Sequence, residues 1–358
     1  MNIILSTNEL YNKIPNLQNI SFPVIHNNEI LVTGGAGFLG IHLLKKLAIS
    51  KQYHTIHTII RNKAKLYNQA KYYNLGTDWI DNINIIEGDL LSLKNEDFPP
   101  VEYIIHSAAE IHCLKNVNKL WANNVETTLR LCSIYKNNNF SFISTLSVFV
   151  SSNQSGNHLP ISISYSDDYL LYGGYSQSKF IGEKLTESIG GKIFRLGLIT
   201  GSTFYHTFPA DFFTTMVKLL NEIKCYPENF EESFVDMTPV DFAACQIVDN
   251  IKSSYNVLHI ANQKSTSIKS FISTMDLSPV DKDTWLSSIS LFGNLDQYLL
   301  KYAFFKKEML EKHFSYFNLD LFQSTGHNYN IEKSIPIDNE IMLKSYVSNI
   351  IRGQINEI

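Results

Sequence analysis

Four cysteines in 358 residues, Cys113, Cys132, Cys225 and Cys245, are too few and too scattered to organise a fold. No two of them form Cys-x-x-Cys or a Cys/His pattern with metal-ligand spacing, so a disulfide framework and a structural zinc site are both excluded, and a reduced cytosolic compartment is expected. Charge of one sign is also lacking. Thirty Lys and Arg against 34 Asp and Glu leave a net charge of -4. Without a basic cluster there is no footprint for nucleic acid or for an anionic membrane surface. The N-terminus, MNIILSTNELYNKIPNLQNI, has no basic start followed by an apolar run and does not read as a secretory signal. The most apolar stretch, residues 30–48, is interrupted by glycines, a histidine and two lysines, so no spanning helix is expected. No internal repeat is present.

With 44% hydrophobic residues, the chain can bury a core without staples, as one two-lobed unit or two small domains. Residues Glu29 to Thr33 form a short apolar run, followed by glycines and then by apolar residues at helical spacing from Phe38 to Ile49. This predicts strand, tight turn and helix. Further strands are predicted at Thr55 to Ile60, Ile83 to Ile86, Tyr103 to His106, Phe140 to Ser144 and Lys192 to Arg195, with helices between them, notably Val117 to Tyr135 and Tyr175 to Ser188. Strands alternating with helices imply an α/β fold around a parallel sheet covered on both faces. After Thr200 the rhythm changes, to a helix over Pro209 to Ile223, a turn near Pro227, a helix starting near Pro239 and a strand at Val257 to Ala261 that could return to the sheet. The division expected is an N-terminal extension (1–28), a dinucleotide-binding domain (29–200 and 236–262) and a smaller, mostly helical C-terminal substrate lobe (201–235 and 263–358).

The turn Thr33-Gly34-Gly35-Ala36-Gly37-Phe38-Leu39-Gly40 fits G-x-G-x-x-G through Gly35, Gly37 and Gly40, and T-G-x-x-G-x-x-G through Gly34, Gly37 and Gly40. The second register matters more. Glycine is needed where the chain turns sharply, where backbone approaches a pyrophosphate, and where helix packs on strand; the helix start then offers free amides to the phosphates. An isolated glycine motif is an ordinary tight turn as often as not, but here a strand precedes it and an amphipathic helix follows. The end of the second strand distinguishes the cofactors, because an acidic residue there accepts from a ribose hydroxyl whereas an arginine accommodates a 2′-phosphate. Arg61 occupies that place in the stretch IIRNK, so NADP(H) is expected, with Lys71 a weaker second candidate for the phosphate. The alternative for Arg61 is a solvated surface charge.

Tyr175 and Lys179 stand four residues apart, on one face of a predicted helix. Many helices carry such a pair by chance, but this one follows the strand that ends in Ser144-Thr145-Leu146-Ser147. A phenol has a pKa of about 10, and a nearby cation favours its ionised form, making it a better proton donor near neutrality. Tyr175 would protonate the oxygen that becomes negative as hydride arrives. Lys179 would lower its pKa and bind the nicotinamide ribose, and Thr145 would donate a hydrogen bond to the same oxygen.

The glycine turn, Gly88-Asp89-Leu90, His106-Ser107-Ala108-Ala109, Asn124-Val125-Glu126-Thr127-Thr128, Thr145 and Tyr175-x-x-x-Lys179 together resemble the extended short-chain dehydrogenase/reductase superfamily. Within it, the segments 144–148, 174–185, 195–201 and 238–244 resemble the thioester reductase branch, the terminal reductase domains of nonribosomal peptide synthetases and carboxylic acid reductases. The similarity runs from about Glu29 into the C-terminal region and is strongest before residue 245. It implies a Rossmann-type doubly wound sheet, with Thr33, Phe38 and Leu39 joining the glycines at the cofactor. Asp89 and Leu90 would lie beside the adenine, Ala108 and Ala109 beside the ribose, and Gly197 and Leu198 also at the cofactor. The triad would be Thr145, Tyr175 and Lys179. The chemistry implied is NADPH-dependent reduction of an acyl or peptidyl thioester, carried on phosphopantetheine by a carrier protein, to an aldehyde; a second hydride would give an alcohol.

Two departures count, namely the absence of recognisable carrier or adenylation modules, and a Gly34-Gly35-Ala36-Gly37 stretch that is also common among sugar-nucleotide enzymes. The alternatives are therefore a sugar-nucleotide epimerase or reductase, a fatty acyl-CoA reductase, and, outside enzymes, an NADP-sensing protein. His106, His112 and Cys113 suit packing beside the cofactor better than a metal site, so no metal is expected. His206 and the aromatics of 204–213 are lobe contacts or core. Asp236 and Asp241 are read as helix-start capping.

Overall fold

The structure is a computed structural model. It describes residues 4–20, 25–112, 115–136, 138–149, 170–203, 209, 212–228, 231, 234–235, 237–261, 266–291 and 348. Cys113, His206, Asp236 and most of the aromatic stretch 204–213 lie outside the described residues, as does nearly all of the chain after residue 291.

The first described residues are β1 (Ile4–Ser6) and α1 (Thr7–Tyr11). The helix starts in a capping box, in which the Ser6 hydroxyl accepts from the Glu9 amide and the Glu9 carboxylate accepts from the Ser6 amide. The alternation follows: β2 (His26–Thr33), α2 (Phe38–Ser50), β3 (Thr55–Ile60), α3 (Lys63–Tyr72), β4 (Ile83–Glu87) and β5 (Val101–His106). The long helix expected next is three pieces in one, α4 (Val117–Leu120), a widened π-helical turn (Trp121–Glu126) and α5 (Thr127–Ile134). Then come β6 (Asn139–Thr145), β7 (Leu170–Tyr172), α6 (Gly174–Ser188), β8 (Lys192–Leu196) and β9 (Leu198–Thr200).

Seven strands form one parallel sheet in the order β13-β8-β6-β5-β2-β3-β4, where β13 (Val257–Ile260) is the late strand that does return. All its neighbours run parallel. Strand order reverses beside β2, which places the crevice of a doubly wound fold at the C-terminal ends of β2 and β5. Both faces are covered, which is why the strands read as near-continuous apolar runs. One face packs Ile30, Val32, Ile105 and Ile143 against Leu43, Leu47 and Ile247. The other packs Ile104, Phe140 and Phe142 against Leu131, Phe180 and Leu185, and takes in Leu5 and Leu10 from the N-terminal segment. That segment is tied to the α6 region by antiparallel pairing of β1 with β7, by the Tyr11 ring set edge-on to Phe180 at 5.3 Å, and by Lys184 Nζ 5.5 Å from the centre of the Tyr11 ring.

Beyond β9 lie α7 (Phe212–Ile223), β10 (Cys225–Pro227), β11 (Phe234–Val235), β12 (Met237–Pro239) and α8 (Val240–Asn250), and, after β13, β14 (Thr266–Ser267), α9 (Ile268–Ile272), β15 (Ser278–Val280) and α10 (Lys282–Leu291). The turn expected near Pro227 is instead the short strand β10. Its proline closes the strand, and the pairing partner β15 comes from more than fifty residues later, beyond the reach of local pattern. The described part of the lobe thus carries short strand pairs, β10 with β15 and β11 with β14, among its helices. Among the described residues, no helix is long and apolar enough to cross a membrane.

Candidate active site

The glycine turn joins β2 to α2 at the point where strand order reverses. Gly34 has φ +74°, a left-handed backbone that side-chain-bearing residues rarely adopt, and a Cβ there would stand 2.8 Å from the Ala108 backbone at the end of β5. A Cβ on Gly40 would stand 2.1 Å from the Gly34 carbonyl oxygen, so α2 can start against the turn only with glycine at that position. Gly37 differs, because a Cβ on it would meet only the Gly34 carbonyl oxygen, at 3.2 Å. Gly37 is also the N-cap of α2, and no side chain caps that helix. An uncapped helix start with an open approach is what a phosphate requires, so the turn fits the pyrophosphate of a dinucleotide. Gly35, which belongs to the other register, is confined as well, since a Cβ on it would stand 2.3 Å from Thr58 Oγ1 and 2.6 Å from Leu44 Cδ1. Phe38 and Leu39 supply the first helical amides, and the Phe38 ring packs on His42 and Tyr73.

Arg61 follows directly on β3 and is exposed. Its neighbour Asn62 caps α3 through the Lys65 amide, while Lys71 stands two turns further along that helix. Asp89 closes the turn after β4, its carboxylate accepting from the Leu91 amide at 2.9 Å, and Leu90 beside it is buried. Arg130 reaches across from α5 to the Leu90 carbonyl at 2.7 Å. Gly197, between β8 and β9, donates to the Ile260 carbonyl, and Leu198 opens β9.

A buried relay joins the glycine turn to the helix that carries the Tyr-Lys pair. The Ala108 amide donates to Thr33 Oγ1, which lies 2.8 Å from His106 Nδ1. His106 Nε2 lies 3.0 Å from Thr128 Oγ1, and that hydroxyl donates to the Asn124 carbonyl. Thr128 must therefore accept from His106, which sets the Nε2–H tautomer of a neutral ring. Burial, with the nearby Lys179 charge, pushes the His106 pKa down to about 3. Asn124 sits in the widened turn. Its Nδ2 donates to the Glu110 carbonyl at 3.0 Å and to Ser178 Oγ at 2.9 Å, and its Oδ1 accepts from the Glu110 amide. The Asn124 amide thus ties the loop after β5 to the turn of α6 between Tyr175 and Lys179.

Tyr175 and Lys179 lie in the first two turns of α6, Tyr175 half-buried and Lys179 buried. Lys179 Nζ donates to the Ile143 carbonyl at 2.7 Å and lies 5.8 Å from the centre of the Tyr175 ring. Burial pushes its pKa down to about 7, against the upward pull of Glu183. Thr145 ends β6 and caps the short turn Leu146–Val148, its hydroxyl accepting from the Ser147 amide at 3.1 Å. Ser147 in turn accepts from Ser176 Oγ at 3.0 Å, which draws the segment after Thr145 onto the residue next to Tyr175. The structure therefore brings together the ends of β5 and β6, the start of α6 and the glycine turn.

The contacts of two groups of this region escaped sequence reasoning, although the stretches that contain them were part of the family resemblance. Asn124 is a poor helix former inside a predicted helix, a sign that could have been read, but its partners lie in other elements. Glu183 and Arg195 form a wholly buried ion pair under α6, 2.7 Å apart, with no local pattern to announce it. Asp241, read as capping, accepts from the Thr203 amide and hydroxyl and so fastens the segment after β9 to α8. Among the described residues, no group of histidine, cysteine or acidic side chains could hold a metal ion.

The family model of an NAD-binding domain described as male sterility protein matches residues 32–247. Among curated proteins the chain is similar to the L-2-aminoadipate reductase of Schizosaccharomyces pombe, 26% identical over 285 residues that cover 69% of this chain and 20% of that protein. The chain thus spans only a fifth of the length of that relative. Among solved structures it is similar to the terminal R domain from the myxalamid PKS-NRPS biosynthetic pathway, with a TM-score of 0.77 and 20% identity over 98% of this chain and 99% of that one. It is also similar to a thiolation-reductase di-domain from an archaeal non-ribosomal peptide synthetase, with a TM-score of 0.70 and 20% identity over 97% and 80% of the two chains. At such identities the likeness establishes the shared fold.

Proposed function

This chain belongs to the male sterility protein family of NAD-binding proteins, and from that premise we propose that it is an NADPH-dependent reductase of acyl or peptidyl thioesters that releases an aldehyde. The observation that carries the reading is Lys179 Nζ lying 5.8 Å from the Tyr175 ring at the start of α6 while it donates to Ile143, two residues before Thr145 on β6. Gly34 to Gly40 would hold the pyrophosphate, and Arg61 the 2′-phosphate that distinguishes NADP(H) from NAD(H). When bound, the cofactor supplies a hydride.

The remaining work falls to side chains of this protein. Tyr175 gives its phenolic proton to the oxygen of the acyl carbonyl as that oxygen gains charge, and Thr145 donates a hydrogen bond to the same atom. Lys179 places a cation near the phenol, which favours the ionised form and so eases proton release. As the carbonyl re-forms, the hydroxyl proton returns to the Tyr175 phenolate and the carbon–sulfur bond breaks; a thiol pKa of about 8.5 makes thiolate a good leaving group, which takes up a proton from solvent, and the products are an aldehyde and the free thiol. The names of the relatives, an aminoadipate reductase and a reductase joined to a thiolation domain, support a phosphopantetheine-borne acyl group and a carrier protein as partner.

The test is NADPH oxidation followed with acyl-pantetheine, acyl-CoA and carrier-bound thioesters. Turnover of a thioester is expected, with Tyr175→Phe slowed by about 10²–10⁴-fold while its NADPH affinity stays within a few-fold of wild type. Activity on a sugar nucleotide and on none of the thioesters would overturn the reading.

A further inference from the structure

We infer that Glu183 is a positioning residue for the reaction, joining Lys179 and Thr145 by gripping both the catalytic helix and the end of β6. The inference rests on the reading of Thr145, Tyr175 and Lys179 as the reacting set. Glu183 and Arg195 are both fully buried, on α6 and β8. Burying two charges is costly, and a well-packed apolar pair of similar volume is often as stable or more so, so stability alone is a weak reason for this pair.

The partners of the pair show what else it does. Glu183 Oε1 accepts from Ser144 Oγ at 2.5 Å and from Arg195 Nε at 2.8 Å, and Oε2 accepts from Arg195 Nη2 at 2.7 Å. Arg195 lies with its Cζ 4.9 Å from the centre of the Phe149 ring. Ser144 immediately precedes Thr145, and Phe149 immediately follows the turn that Thr145 caps. The ion pair therefore holds the chain on both sides of Thr145. Glu183 is also one helical turn beyond Lys179, which itself donates to the carbonyl of Ile143, the residue before Ser144. Two successive turns of α6 thus clamp two successive residues of β6, and the spacing between Lys179 and Thr145 follows.

The carboxylate has an electrostatic consequence as well. It opposes the effect of burial on Lys179, whose pKa is pushed down to about 7. Among the described residues, the other ionisable groups around Lys179 are Tyr175 on its own helix and His106 on β5, the latter neutral. Arg195 lies beyond Glu183, followed by His259 of β13, whose Nε2 is 3.2 Å from Arg195 Nη1 and whose pKa is held down to about 3 by burial and by that guanidinium.

Glu183→Gln keeps the volume and an acceptor for Ser144 but removes the charge. The primary readout is the ¹⁵Nζ resonance of Lys179 in the full chain, assigned through Lys179→Met and titrated with pH, which needs neither a thioester nor turnover. Glu183→Gln is expected to move the Lys179 midpoint down by about one to three pH units. The alkaline limb of the kcat profile is expected to move with it, and KM to change little. Ser144→Ala spares the ion pair and serves if Glu183→Gln does not fold. It is expected to lower kcat about tenfold with thioester KM and NADPH affinity unchanged, the loss of one buried hydrogen bond to a charged group. An unmoved Lys179 midpoint in folded Glu183→Gln overturns the inference, as does unchanged kcat in Ser144→Ala. Failure of the wild-type chain to reduce any thioester overturns the assigned reaction instead, and the Nζ titration then still reports on Glu183.

Discussion

The two halves of the site are built from different materials. On the β2 side the proposed cofactor cradle is backbone: a left-handed Gly34, an open Gly37 and a Gly40 pressed against the turn. On the β6 side the proposed reacting groups are side chains, among hydrogen bonds that are buried or part-buried and a buried ion pair. Backbone recognises a phosphate by shape and amide direction, and tolerates almost no added atom. Proton transfer needs specific functional groups held at set protonation states, and those states depend on burial and neighbouring charge. The two halves should therefore fail in different ways.

The largest effect is expected from Gly40→Val. Its Cβ would lie 2.1 Å from a backbone oxygen that has no rotamer to move into. Titration of NADPH fluorescence should show affinity reduced beyond detection, together with a lower melting temperature; near-normal binding would show that the cradle is more pliant than its geometry. Thr145→Val probes the opposite half. Removing one donor to a developing oxyanion should cost about 10²–10³-fold in kcat and leave NADPH affinity unchanged. Loss of affinity instead would mean that the two halves are not separable.

Arg61→Ala sharpens the comparison at the edge of the cradle, where an exposed side chain rather than backbone is at work. NADPH affinity should fall roughly 10–100-fold, the value of charge-assisted hydrogen bonds of about 1.5–3 kcal/mol, and NADH affinity hardly at all. Equal losses for both cofactors would remove Arg61 from cofactor choice.

Acid stability depends on a group from each half. His106 belongs to the relay of the cradle and His259 to the ion-pair cluster, and burial holds both neutral with pKa values near 3. The unfolded chain binds protons at these rings below its ordinary histidine pKa of about 6.5 while the folded chain does not, so stability is lost as pH falls from there toward 3. Each ring contributes a slope of up to about 1.4 kcal/mol per pH unit. Denaturant midpoints measured between pH 7 and 4 should show this decline, and His259→Asn should remove about half of it. An unaltered slope in that variant would place the acid sensitivity elsewhere.

Much of this molecule was legible in its sequence because the relevant constraints are local. Strand β3 was read at its full extent, and α2 and α6 to within a residue or so, from apolar spacing bounded by glycine and polar residues. Strand β2 begins three residues earlier than its apolar run, because His26 pairs with Val101 ahead of a register shift before Ile30, at the exposed end of the sheet where apolar character is not required. The unbroken helix expected over 117–135 conceals the widened turn at Trp121–Glu126, where the hydroxyls of Thr127 and Thr128 bond to the carbonyls of Asn123 and Asn124. Periodicity cannot reveal an inserted residue in a helix whose apolar face still points to the core.

The Tyr175 and Lys179 spacing, the glycine turn and the position of Arg61 were determined by the sequence alone, since each depends on residues within one strand–turn–helix step. Tertiary structure alone decided that Asn124 would bridge the β5 loop to α6, that His106 would be a neutral relay, and that Glu183 would meet Arg195 and Ser144 beneath the reacting groups. These contacts join residues from 12 to 73 positions apart. Their energies come from excluding water, which no single segment can do before the sheet and helices have packed.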